Sequence, residues 1–78
     1  MKPKSIRVAV IFEPGKHAKP IWFDMNGDKA TVLEECYFWL SNEGKAQISH
    51  YSLNTEKGLY ELQFNSIDQG WRIKITQE

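Results

Sequence analysis

The chain has 78 residues, ten Lys plus Arg against ten Asp plus Glu, 41% hydrophobic residues and a single cysteine. This length predicts one domain over residues 1–78, with residues 1–4 as a frayed tail. The balanced charge argues against a dedicated binder of nucleic acid or acidic membranes. No apolar run approaches the ~20 residues that span a bilayer, and Cys36 alone cannot form an internal disulfide. We therefore expect a cytoplasmic protein with no membrane segment.

Apolar and polar residues alternate through the first part of the chain, which is typical of β-strands. The first strand places four apolar side chains on one face: Ile6, Val8, Val10 and Phe12. Pro14-Gly15 ends this strand, and residues 16–19 form a polar loop. The second strand alternates Ile21, Phe23 and Met25. Two short strands joined by a loop are therefore predicted before residue 26.

Asn26-Gly27 predicts a tight hairpin, because a type I′ turn needs positive φ at both central residues. The turn fixes the register of the two strands that flank it. The predicted pairs are Asp24 with Lys29, Phe23 with Ala30, Trp22 with Thr31, and Ile21 with Val32. Opposite charges then meet on one face and apolar residues on the other, a pairing that stabilises antiparallel strands.

The third strand, over residues 29–40, is longer than usual, so we expect a bend or bulge near Glu34-Glu35. Its core-facing positions run Ala30, Val32, Glu34, Cys36, Phe38 and Leu40. Further strands are predicted at 46–53, 60–64 and 71–75, separated by polar turns. The fold class is all-β: an antiparallel, five- to six-stranded meander curled into a small, partly closed barrel.

Residues with possible chemistry are few and scattered. We expect Cys36 to be a buried structural thiol, His17 to be solvated in a loop, and His50 to be partly buried in a strand. A bulge would turn Glu34 to solvent. Asp24, Asn26, Asp28 and Glu35 mimic part of a calcium loop, but Lys29 stands where that loop needs glycine. The sequence therefore predicts no enzyme, no metal site and no cofactor.

The aromatic residues fall into two groups by strand parity. Six share a face with aliphatic residues and are candidates for the core: Phe12, Phe23, Phe38, Tyr60, Phe64 and Trp71. Trp22, Tyr37 and Trp39 lie on the opposite parity. They form either a second apolar layer under a terminal strand, a contact for a protein partner or second copy, or a stacking platform for single-stranded nucleic acid. We expect a small, non-enzymatic protein-interaction module, with nucleic-acid binding as the alternative.

Several short motifs recur in an order that is familiar from other proteins. They are Val8-Ala9-Val10-Ile11-Phe12, Pro20-Ile21-Trp22-Phe23, Asn26-Gly27, Tyr37-Phe38-Trp39, His50-Tyr51, Tyr60-Glu61-Leu62-Gln63-Phe64 and Trp71-Arg72-Ile73. Over residues 6–75 the chain resembles short bacterial all-β domains of unknown function, which end in a Tyr-Glu-Leu strand and a Trp-Arg strand. The resemblance implies a bacterial, cytoplasmic, compact β domain, and it implies no activity or cofactor.

Overall fold

The computed structural model describes residues 4–74, which form six β-strands and no helix. The strands are β1 (Lys4–Ile11), β2 (Lys19–Met25), β3 (Asp28–Glu43), β4 (Ala46–Thr55), β5 (Gly58–Asn65) and β6 (Trp71–Lys74). Lys4 begins β1 and does not belong to the expected tail. Residues 1–3 of that tail and Ile75 of the predicted sixth strand lie outside the described residues.

Each strand is antiparallel to its neighbour in the sequence, and β1 also pairs with β6, so that the sheet closes into a barrel. The prediction of an all-β antiparallel meander curled into a small barrel is confirmed. The closing β1–β6 ladder is short, with three residue pairs from Lys4↔Ile73 to Ile6↔Trp71. In contrast, β3 and β4 are paired over the whole length of β4. The barrel is therefore joined much more extensively on one side than at its closing seam.

The hairpin at Asn26-Gly27 has the register predicted from the sequence. Asn26 and Gly27 have φ values of 54° and 85°, as a type I′ turn requires. The Gly27 N–H donates to Asp24 Oδ1 at 2.7 Å, which satisfies a backbone donor within the turn. The β2–β3 ladder runs from Met25↔Asp28 to Trp22↔Thr31 and ends there, so Ile21 and Val32 are not paired. The two strands separate beyond that point.

The core is formed by one row of side chains from each strand. Its fully buried members are Phe23, Ala30, Tyr51, Leu53, Leu62 and Ile73. The cross-strand pairs Tyr51↔Leu62 and Leu62↔Ile73 place three of them side by side. Each large apolar side chain contributes about 1.5–3 kcal/mol on burial. These residues supply the packing on which a small domain without disulfides depends.

Strand β3 bends because it contains two bulges. Sixteen residues in a straight strand would extend about 53 Å, whereas the longest dimension of the molecule is 34 Å. The pairing with β4 skips Leu33 and then Cys36. Each bulged residue is an extra residue opposite the partner strand, so side-chain parity shifts there. Glu34 is exposed, as predicted, and the pairing of Glu35 with Leu53 turns Glu35 toward the core side instead.

Three core predictions are wrong, because a bulge or the end of the covered region leaves each residue exposed. Cys36 is exposed because it is the bulged residue. Phe12 is 77% exposed because β1 ends at Ile11, one residue before it. Leu40 has the predicted parity but lies beyond the main core, where it is 51% exposed. The two ends of the apolar pattern therefore extend past the region that the barrel covers.

His17 lies in the β1–β2 loop and is exposed, as predicted, but its ring also makes contacts that the sequence did not reveal. The β1–β2 loop folds back across the barrel, and the His17 ring stacks on Phe38 with 3.7 Å between ring centroids. His17 Nε2 lies 2.9 Å from Glu35 Oε2. The Tyr51 hydroxyl donates to the Ala18 carbonyl at 2.7 Å and holds the same loop. The loop is thus attached to the barrel by contacts to both β3 and β4.

Candidate protein-binding surface

Tyr37 and Trp39 point away from the core on β3. They are paired with Ser52 and His50 of β4 and are 71% and 42% exposed. Because one residue separates them on a regular strand, both rings lie on the same side of the sheet. We use the term outer face for six side chains on this side of β3, β4 and β5: Tyr37, Trp39, Ser41, His50, Glu61 and Gln63. Its two aromatic members are exposed, as a binding surface requires.

A polar network under Trp39 holds the ring in place. The indole stacks on His50 with 4.9 Å between ring centroids and an interplanar angle of 4°. His50 is only 9% exposed. Its Nε2 lies 2.7 Å from Ser41 Oγ, and its Nδ1 lies 3.3 Å from Glu61 Oε2. A proton on Nδ1 lets the ring donate to the carboxylate and accept from the hydroxyl, so both nitrogens are satisfied.

Ser41, His50 and Glu61 therefore stand in the hydroxyl–imidazole–carboxylate order used by serine hydrolases. A buried imidazole needs two partners in any protein, and these two side chains provide them. Gln63 Nε2 donates to the same Glu61 oxygen at 3.3 Å, so the carboxylate is shared between two neighbours. The network fixes the plane of His50 and, by stacking, the plane of Trp39.

Trp22 lies apart from the other two aromatic residues selected from the sequence. It belongs to β2, opposite Thr31 as predicted, and is half-buried. The Lys29 ammonium lies 4.5 Å from the centre of the Trp22 ring, a cation–π contact within the hairpin. Within residues 4–74, no ring contact joins Trp22 to Tyr37 or Trp39. The structure thus places Tyr37 and Trp39 on the same face of β3, whereas Trp22 lies on β2. The two strands separate between these positions.

The backbone of β3 is paired on one side only over much of its length. The ladder to β2 ends at Thr31, whereas the ladder to β4 continues to Glu43. In the part of the chain that the structure describes, the backbone hydrogen bonds outside the ladders do not involve residues 33–43 either. We call these residues the free edge of β3. Such an edge exposes N–H and C=O groups that can pair with another strand.

A cleft of about 760 Å3 marks the place where β2 and β3 separate. One wall is the start of β2 and the loop before it, and the other is the bulged part of β3. Both signs of charge line it, among them Lys16, Lys19, Glu13, Glu34 and Glu35. Glu13 lies 3.6 Å from Lys16, so part of this charge is neutralised within the loop. The cleft leaves the free edge accessible from the side of β2.

The residues that resemble part of a calcium-binding loop make contacts with other side chains. Asp24 binds Arg7 at 2.9 Å, and this guanidinium holds the pKa of the carboxyl below its usual value. Asp28 forms an ion pair with Lys57, and Glu35 contacts His17. Among residues 4–74, no three His, Cys, Asp or Glu side chains are arranged to share a metal ion. The same residues contain no helix that is long and apolar enough to cross a membrane.

The free edge and Leu40 are features of this surface that the sequence interpretation missed. Alternation assigned Leu40 to the core, and it gave no information about which strands pair along their full lengths. The signal that was present is the length of β3, because a strand much longer than its neighbour β2 cannot be paired throughout on that side.

No family model, curated protein or solved structure matches this chain. The resemblance to short bacterial domains therefore stays a prediction from the sequence. The function has to be proposed from the geometry of the surface.

Proposed function

We propose that this protein is a small, non-enzymatic protein-interaction module that binds its partner through the free edge and the outer face of β3. The observation that carries the proposal is the coincidence of two features on one strand. The backbone of residues 33–43 lacks a second neighbour within the described chain, and Tyr37 and Trp39 are exposed on the same segment. Binding of a nucleotide, a metal or a small ligand does not need an unpaired strand edge.

Each feature has a known role in protein recognition. An unpaired strand edge gains affinity by adding a strand from the partner, through main-chain hydrogen bonds. Tyrosine and tryptophan are enriched among the residues that dominate interface energies, because they bury a large area at low entropic cost. The stack on His50 fixes the Trp39 ring before binding. An anchor that is already ordered loses less conformational entropy when the partner docks.

The proposal can be tested by substituting the surface in matched pairs. We expect Tyr37→Ala and Trp39→Ala each to weaken partner binding at least tenfold, as truncated interface anchors commonly do. Leu59→Ala and Ile67→Ala are the controls, because these residues are also exposed and apolar but neither lies on β3. Binding is measured by titrating wild type and variants against the captured partner, with sedimentation used to detect self-association.

The proposal fails if the protein sediments as a monomer and all four variants capture the same proteins as wild type. It also fails if the Leu59 and Ile67 variants lose as much binding as the Tyr37 and Trp39 variants. Circular dichroism of each variant separates loss of binding from loss of folding.

The absence of enzymatic activity is tested at Ser41. Its neighbour His50 is buried and covered by the Trp39 ring, which favours a structural network over a hydrolytic centre. We expect a fluorophosphonate, which phosphonylates activated serines with release of fluoride, to leave Ser41 unmodified. Mass spectrometry of the intact protein measures the outcome. Modification at Ser41 that is lost in His50→Gln would contradict the non-enzymatic part of the proposal.

A further inference from the structure

We infer that the partner of the free edge is a second copy of this chain, paired antiparallel through β3 with the two-fold axis at Leu40. The inference rests on the proposed function and specifies its partner. It depends on the shape of the free edge, on side-chain parity and on the distribution of charge along β3.

The shape of the edge limits pairing to residues 37–43. The ladder of β3 with β4 is regular from Tyr37 to Glu43, whereas Leu33 and Cys36 are bulged. Bulges twist an edge away from an incoming strand and interrupt its hydrogen-bonding pattern. The regular segment is as long as an ordinary strand. It therefore supplies enough backbone groups for a complete ladder.

Side-chain parity limits the register further. A two-fold axis perpendicular to the sheet keeps the outer faces of both copies on one side, and residues directly opposite each other must then share a face. A shift by one residue would place outer-face aromatic residues opposite core-side ones. Only axes that pass through a residue satisfy this condition. The midpoint of the whole free edge is residue 38 and that of its regular part is residue 40, so the axes to compare pass through residues 38, 39 and 40.

The bulges and the charges on β3 select among these axes. An axis at Trp39 places Asn42 opposite the bulged Cys36 of the second copy, so that only residues 37–41 can form a regular ladder. An axis at Phe38 needs the bulged residues to take part in the ladder. An axis at Leu40 uses only residues 37–43, in which Glu43 is the single charged residue. Glu43 then faces a neutral tyrosine of the second copy.

The axis at Leu40 also accounts for two exposed side chains. Leu40 is 51% exposed, and it would contact its own equivalent across the axis. Trp39 would lie opposite Ser41 of the second copy and diagonal to the other Trp39, within reach of an aromatic side chain. Lys45, which follows the paired segment in the β3–β4 turn, would lie beside Glu34 and Glu35 of the second copy. The axis thus brings the two Leu40 side chains together at the centre of the paired segment and opposite charges together at each of its ends.

Disulfide trapping tests the register directly. In a Cys36→Ser background, Leu40→Cys places two thiols on the axis, where opposed Cα atoms of a ladder are about 4.5–5.5 Å apart and a disulfide can form. The matched control is Asn42→Cys in the same background. Its two thiols would be offset by four residues, about 13 Å along the strand, which is too far to bridge. We expect oxidation to give a covalent dimer with Leu40→Cys and a monomer with Asn42→Cys.

Sedimentation tests the association without a cross-link. We expect wild type to be a dimer at high concentration and Leu40→Lys to be a monomer, because two ammonium groups would then face each other on the axis. Leu59→Lys makes the same change at another exposed leucine and should leave the dimer intact. Unchanged circular dichroism confirms that the Leu40 variant is folded.

A monomeric wild type with no cross-link at residue 40 would overturn the self-pairing. If such a monomer still loses a different partner on Trp39→Ala, the interaction module stands and its partner is another protein. A dimer that cross-links equally well at residues 40 and 42 would also overturn the proposed register.

Discussion

Tyr51 links the barrel core to the β1–β2 loop. Its ring is almost completely buried and contacts both His17 and Phe38 edge-on, while its hydroxyl donates to Ala18. Burial raises the pKa of the Tyr51 phenol to about 12, with a smaller contribution from the charge of Glu35. The folded state therefore favours the neutral phenol over a range of pH in which an unfolded tyrosine ionises.

The first prediction concerns Tyr51→Phe. The variant should lose about 1 kcal/mol of stability at neutral pH, the usual value of one hydrogen bond. The folded pKa is raised, so the contribution of Tyr51 is fully present below pH 10.0 and is lost as the pH rises toward about 12. Denaturant unfolding of both proteins across this range should show their difference in stability shrinking. A constant difference at all pH values would contradict the assignment.

Cys36 is the second residue whose environment has a direct consequence. Because it is the extra residue of a bulge, its side chain is exposed. We expect a thiol reagent to modify Cys36 completely in the native protein, at a rate similar to that in denaturant. Cys36→Ser should change the free energy of unfolding by less than about 0.5 kcal/mol, as surface substitutions usually do. A thiol that reacts only after unfolding would show that the bulge is closed in solution.

At the scale of single elements, the Asn26-Gly27 hairpin is the feature that local sequence determines most fully. Turn type, register and both faces follow from two residues with positive φ and from the alternation on either side. The ion pair of Arg7 with Asp24 then extends the same row of side chains onto β1. The hairpin thus positions β1 as well as β2 and β3.

The third prediction is that Gly27→Ala destabilises the protein by about 1 kcal/mol or more, because Gly27 has a φ of 85° that alanine adopts with strain. Space is not the cause, since a Cβ added there meets no atom within 4 Å. Asn26→Gly is the control, because glycine accepts the same positive φ and stability should change by only a few tenths of a kcal/mol. Thermal unfolding of the two variants compares them. Equal losses would mean that the turn conformation is not what limits stability.

The bulges show why the surface was harder to predict than the hairpin. Alternation predicts faces correctly where a strand is regular, as for Trp22 and Phe23. The predicted faces of Tyr37 and Trp39 are also correct, because the parity shifts at Leu33 and Cys36 cancel each other. A bend near Glu34-Glu35 was expected from strand length, but two bulges occur, and they lie on either side of that pair. Where a bulge falls depends on how the bent strand pairs with β4. This is a tertiary property that the local pattern does not contain.

At the scale of the whole molecule, charge distinguishes the two proposed classes of partner. The net formal charge is zero, and the outer face with its surroundings carries Glu34, Glu43 and Glu61 close to the exposed aromatic residues. Single-stranded nucleic acids are bound by aromatic residues that lie in a positively charged groove. The acidic residues near Tyr37 and Trp39 would repel phosphates instead.

The fourth prediction follows from this balance of charge. Titration with single-stranded oligonucleotides at low salt should leave the tryptophan emission unchanged, because no excess of positive charge adjoins the stacking residues. Emission is measured at several salt concentrations, with a known single-strand-binding protein as the positive control. Quenching that weakens as salt rises, and that is lost in Trp39→Ala, would favour the nucleic-acid alternative.

The closing seam between β1 and β6 has a consequence for how the chain folds. The five other ladders each pair strands that are neighbours in the sequence. Short turns connect four of these strand pairs, and the seven-residue loop 12–18 connects β1 to β2. Each of these ladders can therefore form from residues that are close in sequence. Only Lys4↔Ile73 and its two neighbouring pairs connect opposite ends of the described chain, and they carry the largest loop-closure entropy. We therefore expect the hairpins to assemble first and ring closure to be the late step that limits the folding rate.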